Sequence, residues 1–75
     1  MRKYGPKQLR KAGEAMFGPR WQTDLARALK LSDARRIREW IKGDRKIPDG
    51  IWPEVVELLK FRKIKIDAVL KDMEG

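Results

Sequence analysis

Residues 21–40 read Trp21-Gln22-Thr23-Asp24-Leu25-Ala26-Arg27-Ala28-Leu29-Lys30-Leu31-Ser32-Asp33-Ala34-Arg35-Arg36-Ile37-Arg38-Glu39-Trp40. The spacing predicts a short helix over residues 21–30, a tight turn, and a second helix over residues 33–42. Leu25, Ala26 and Leu29 recur at the intervals of one helical face. Leu31 turns inward. Ser32 and Asp33 are good N-cap types, because their side-chain oxygens accept from the free N–H groups of a helix start. On the second helix Ala34, Trp40 and Ile41 lie within about 60° of Ile37. Arg35, Arg38, Glu39 and Lys42 lie roughly 100–200° from Ile37, on the opposite face, with Arg36 on the flank. One side of this helix is built for a core and the other is cationic.

The flanking segments read as support for that pair. Residues 1–6 form a basic arm ending in Gly5-Pro6, more simply a solvated flexible tail than a groove-binding one. Residues 7–17 suit a helix, with Pro6 well placed for its first turn and Gly18-Pro19 stopping it. Leu9, Ala12, Met16 and Phe17 give its apolar stripe. Gly13 weakens it and permits close packing. Trp21 reads as a core aromatic, and Gly43 stands where a helix C-cap glycine belongs. Residues 44–50 form a polar loop, in which Arg45 and Lys46 add charge beside the second helix.

Residues 51–62 predict a further helix, with Pro53 in its first turn and Trp52, Val55, Val56 and Leu59 as its stripe. Arg62-Lys63-Ile64-Lys65-Ile66 then alternates like a strand. This favours a break near residues 63–66 and a final helix from Asp67. Residues 54–74 hold no Gly or Pro, which also allows one long helix. Ile64, Ile66, Val69, Leu70 and Met73 offer apolar surface that closes the core or meets a second subunit. No heptad is sustained far enough to predict a coiled coil.

Seventy-five residues make one domain over residues 1–75, burying roughly 60% of its unfolded surface. Such a small core needs efficient helical packing or a partner. There is no cysteine and no histidine. Disulfides and thiolate metal sites are excluded, along with the commonest general base and metal ligand. The acidic residues lack metal-ligand spacing, and there is no phosphate-binding glycine loop. The expectation is a non-enzyme without metal, cofactor or small-molecule substrate. Asp24, Asp44 and Asp49 read as cap, turn and surface residues. No apolar run approaches the roughly 20 residues of a membrane span. The first residues lack the apolar stretch of a signal peptide, so a cytoplasmic location away from membranes is expected.

The net charge is +8, from 19 Lys+Arg against 11 Asp+Glu. Charge alone does not separate attraction to nucleic acid from plain solubility. Its placement does, because residues 27–46 hold eight basic residues against three acidic ones. Trp21, Trp40 and Trp52 could stack on single-stranded bases, but their helical spacing among apolar residues reads as core.

Gln22-Thr23-Asp24-Leu25-Ala26-Arg27-Ala28-Leu29, then Leu31-Ser32-Asp33, Ile37 and Trp40, resemble the helix-turn-helix of phage-repressor-like domains of the lambda repressor and Cro type. The resemblance is close over residues 20–43 and loose beyond. It implies an all-α, lambda-repressor-like domain of four or five helices, with the helix-turn-helix over residues 21–42 and a C-terminal helical segment over residues 51–73. The chain departs from the family pattern twice. Lys30 stands where glycine is usual, and the spacing from Ala26 to Ile37 is one residue longer. Either Lys30 takes a left-handed backbone angle or the turn is rebuilt around the added residue.

The resemblance further implies a sequence-specific regulator of double-stranded DNA, a homodimeric repressor of its own phage or mobile-element operon acting on an inverted repeat. Arg35, Arg36, Arg38 and Glu39 would read base edges, the arginines on guanine and Glu39 on a cytosine amino group. A carboxylate among arginines is also simply explained by an ion pair with Arg35 one turn back. Gln22, Thr23, Lys30, Ser32, Lys42, Arg45 and Lys46 would hold phosphates. Ile64, Ile66, Val69, Leu70 and Met73 would form the dimer interface. Two other readings stand beside this one: an antitoxin-like module binding a protein through the C-terminal apolar surface, and a sequence-independent nucleic-acid coat.

Overall fold

The structure, a computed structural model, describes residues 4–75. Four α-helices follow one another: α1 (Pro6–Phe17), α2 (Trp21–Ala28), α3 (Arg35–Lys42) and α4 (Ile51–Glu74). A 3-10 turn, Gly18–Arg20, links α1 to α2. The architecture is all-helical, with no strand among the described residues. No helix there is long and apolar enough to cross a membrane.

The helix boundaries follow local chemistry. α1 begins at Pro6, one residue earlier than the spacing suggests, because the Gly5 N–H donates to Gln8 Oε1 at 2.8 Å and Leu9 N–H closes on the Gly5 carbonyl. The expected arm is therefore cut short. Tyr4 packs its ring on Trp52 with centroids 5.3 Å apart, and Pro6 is already helical; residues 1–3 of the arm lie outside the described residues. α3 starts at Arg35 rather than at residue 33, and Asp33 caps it, its Oδ1 accepting from the Arg35 N–H at 2.8 Å. Ser32 makes no such bond among the described residues.

The chain reversal after α2 turns on Lys30. Its φ of 62° is left-handed, which a residue with a Cβ adopts at a cost of roughly 1–2 kcal/mol. The geometry is that of a glycine-type helix end: Lys30 N–H donates to the Arg27 carbonyl at 3.1 Å and Leu31 N–H to the Ala26 carbonyl at 2.8 Å. α3 ends in the same way around Gly43, whose φ is 86°. Gly43 N–H bonds the Trp40 carbonyl at 3.2 Å and Asp44 N–H the Glu39 carbonyl at 3.0 Å. Two successive helices thus share one terminator, first with lysine and then with glycine. Of the two ways to accommodate the departure at Lys30, the chain uses the left-handed angle.

α1 is the hub, packing on α2, α3 and α4. Leu9, Leu25 and Ile37 are fully buried at its centre, with Trp21, Ala26, Leu29, Ala34 and Trp40 around them. This is the apolar set expected of the α2–α3 stretch. Ile41 is only half-buried, as are Leu31 and Trp52. Trp52 is therefore a flank rather than a core residue. Ile47 and Ile51, within and just after the polar loop, are buried and complete the core.

The expected break near residues 63–66 does not occur: α4 runs unbroken for 24 residues, about 36 Å. The short alternating stretch has no neighbouring strand, whereas a helix satisfies its backbone hydrogen bonds within the segment. Only Ile51 and Val55 of α4 are buried, and Val56, expected in the stripe, is exposed. Ile64, Ile66, Val69, Leu70 and Met73 do not close the core, since all are exposed.

Gly13 faces the Trp21 indole so closely that a Cβ there would lie 2.1 Å from the ring Cε3. Helix propensity alone favours Gly13→Ala by about 1 kcal/mol, but overpacking costs about 1–3 kcal/mol. We expect Gly13→Ala to lower the melting temperature. A rise in calorimetry would mean that the indole yields at no cost.

Candidate nucleic-acid interface

The cationic surface is built by α3 and the two reversals that flank it. Ile37 and Trp40 anchor α3 in the core, which turns Arg35, Arg36, Arg38 and Lys42 to solvent. Asp33 fixes the first backbone turn of α3. That turn carries Arg35 and Arg36 and no acidic residue. The partial positive charge at a helix N-terminus favours anions, so a cation there costs about 0.3–1 kcal/mol. Two arginines at this position oppose the local electrostatics, and an external anion would relieve them.

Six of the expected residues, Lys30, Ser32, Arg35, Arg36, Glu39 and Arg45, line one shallow polar concavity, with Leu31 and Asp33 completing it. The left-handed turn supplies Lys30, the α3 start supplies the two arginines, and the loop after α3 supplies Arg45. Glu39 does not pair with Arg35 one turn back. Its Oε1 accepts instead from Arg45 Nε at 3.0 Å, with both side chains partly exposed. An exposed pair of this kind is worth well under about 1 kcal/mol, so its main effect is geometric. It draws the loop guanidinium against the outer face of α3. Among the described residues, no ion pair engages Lys30, Arg35, Arg36, Arg38, Lys42 or Lys46.

The remaining expected residues lie outside this concavity. Arg38 and Lys42 are exposed on α3. Gln22, half-buried, and Thr23, exposed, sit in the first turn of α2, whose N-terminus has no side-chain cap. Asp24 in the same turn lies 3.9 Å from Arg27. Lys46 faces a second concavity, shared with Arg45 and lined by Tyr4, Trp40 and Trp52. The indole Nε1 of Trp40, also on that side, is buried without an acceptor among the described residues. The tie between Glu39 and Arg45 was not foreseeable from spacing, because the partners are six residues apart across a chain reversal.

Comparison of the chain with protein-family models, with curated proteins and with solved structures gives no match.

Lys30 carries both backbone strain and a charge, and the two are separable. Lys30→Gly should raise stability by about 1 kcal/mol by removing the left-handed penalty, or about 4–8 °C in melting temperature. Lys30→Val, branched at Cβ, should lower it. Thermal melts of the two variants give the test; equal melting points would show that the turn carries no strain.

Proposed function

We propose that α2 and α3 act as a helix-turn-helix and that the chain is a sequence-specific, double-stranded-DNA-binding transcriptional regulator. In this reading it represses its own phage or mobile-element operon from the cytoplasm. The observation that carries the proposal is the pair of unpaired arginines in the first turn of α3, where the helix dipole disfavours cations. Lys30 and Arg45 flank them, so a polyanion meets charge from three chain segments at once. The net charge of +8 and the resemblance to phage-repressor-like domains point the same way.

In this mechanism α3 enters the major groove. Arg35 and Arg36 read guanine O6 and N7, and Arg38 reads the adjacent step. Glu39 serves first to hold Arg45 and reaches a cytosine amino group only if that pair opens. Lys30, Ser32, Lys42, Arg45 and Lys46 hold phosphates beside the groove, and Gln22 and Thr23 hold one at the start of α2. One helix pair touches few bases, so the protein works as a homodimer on an inverted repeat with half-sites about 34 Å apart. Bound there, it excludes polymerase. A second reading, an antitoxin-like protein-binding module, draws on the exposed apolar residues of α4.

Footprinting over the protein's own promoter should reveal a protected inverted repeat. Arg35→Ala or Arg36→Ala should cost about 1–3 kcal/mol on that site and little on unrelated duplex. Lys42→Ala and Lys46→Ala should weaken all duplexes alike and reduce the salt dependence of binding. Equal losses on both DNAs from the arginine variants would favour a sequence-independent coat. Absence of DNA affinity, with a stable protein co-purifying from the native operon, would favour the antitoxin-like reading.

A further inference from the structure

Beyond Leu59 every residue of α4 is exposed. Trp52, Val55, Leu59, Ile66, Val69 and Met73 nonetheless share one helical face at intervals of three and four, interrupted at Arg62, too short a seam to predict a coiled coil from sequence but continuous once α4 is a single helix. The face that packs on the core at Val55 therefore continues past the domain, where Ile66, Val69, Leu70 and Met73 are 54%, 56%, 48% and 81% exposed. Ile64 is not on it. It lies about 140° from Val69 around the helix.

The charge along this free half is polarised. Residues 60–65 carry Lys60, Arg62, Lys63 and Lys65 and no acid, while residues 67–74 carry Asp67, Asp72 and Glu74 against Lys71. We propose that this segment pairs antiparallel with the same segment of a second copy of the chain. The pairing gives the homodimer of the preceding reading its interface and rests on that part of the reading alone, because it needs no DNA.

Antiparallel packing sets Ile66 of one copy opposite Val69 of the other and Arg62 opposite Met73. It brings the basic residues 60–65 against the acidic residues 67–74, with Lys65 beside Asp72 of the second copy at both ends of the seam. Parallel packing would instead stack Arg62 on Arg62 at one end of the seam and set like charges together. The overlap runs from Arg62, whose guanidinium lies 4.6 Å over the Phe17 ring of α1, to the end of α4, so the second helix extends the apolar face begun at Ile51 and Val55.

Sedimentation equilibrium of the full chain over a wide concentration range should show a monomer–dimer equilibrium. Val69→Asp should abolish it and remove the concentration dependence of the melting temperature, leaving the dilute, monomeric melting curve unchanged because Val69 is outside the core. Lys65→Glu or Asp72→Lys alone should weaken dimerisation about tenfold, two exposed pairs turned from attraction to repulsion, and the double variant should restore it. The chain has no cysteine, so single-cysteine variants report the direction. A mixture of Arg62→Cys and Met73→Cys should cross-link on oxidation, and Met73→Cys alone should not. A dimer that survives Val69→Asp, a double variant without rescue, or selective self-linking of Met73→Cys overturns the antiparallel pairing and leaves the homodimer standing. A chain that stays monomeric at every concentration without DNA overturns the pairing, and one that is also monomeric on DNA overturns the homodimer.

Discussion

A single backbone hydrogen bond, from Leu31 N–H to the Ala26 carbonyl, governs the rest of this molecule. It closes α2 and sends the chain back on itself, and it forms only because Lys30 accepts a left-handed angle. Once the chain has turned, Ile37 and Trp40 fall against Leu9 and Leu25 in the core. With those two side chains buried, helical geometry leaves the arginines of α3 nowhere to point but outward. The turn thus converts an apolar packing requirement into the direction of a charged surface. Lysine at the tightest point of the reversal breaks a local rule, and it does so beside the residues whose charge also breaks one. Such coincident violations are expected where function rather than stability selects the residue.

The core itself is small and depends on close approach. The Trp21 ring lies against the backbone of α1 at Gly13, an approach that only a residue without a Cβ permits. This contact lets one short helix serve α2, α3 and α4 together. It also explains how so basic a chain holds a fold without disulfides, since large aromatic surfaces are buried at the points where helices cross. Ile47 and Ile51 close the far side from a segment that is otherwise polar.

The fold spends its apolar residues unevenly. α2 and α3 bury or half-bury all of their apolar residues and α1 all but Ala15, whereas the second half of α4 buries none. An isolated helix of that length is marginal in water and gains its stability from packing. The bare stripe and the polarised charge of α4 therefore belong to one physical problem, how the segment is covered in solution. The cationic face of α3 poses the opposite problem, how its repulsion is relieved. In the proposed reading a polyanion answers the second and another apolar helix answers the first.

The sequence alone determined the all-helical class, because three- and four-residue periodicity, two glycine terminators and the absence of a sustained alternating run leave little else. It also determined the buried set of α2 and α3 and the cationic outer face, since both follow from angular position on a helix. Tertiary structure alone decided the rest. That Lys30 takes the left-handed angle at the turn follows from the burial of Ile37 and Trp40 in the core. Glu39 found Arg45 rather than Arg35 because the reversal at Gly43 folds the loop back along α3. Residues 62–66 joined one long helix because no strand stood beside them. Local periodicity records which face a side chain occupies. Which neighbour arrives at that face is decided by how the chain turns, and each turn rests on contacts between residues that lie far apart in the sequence.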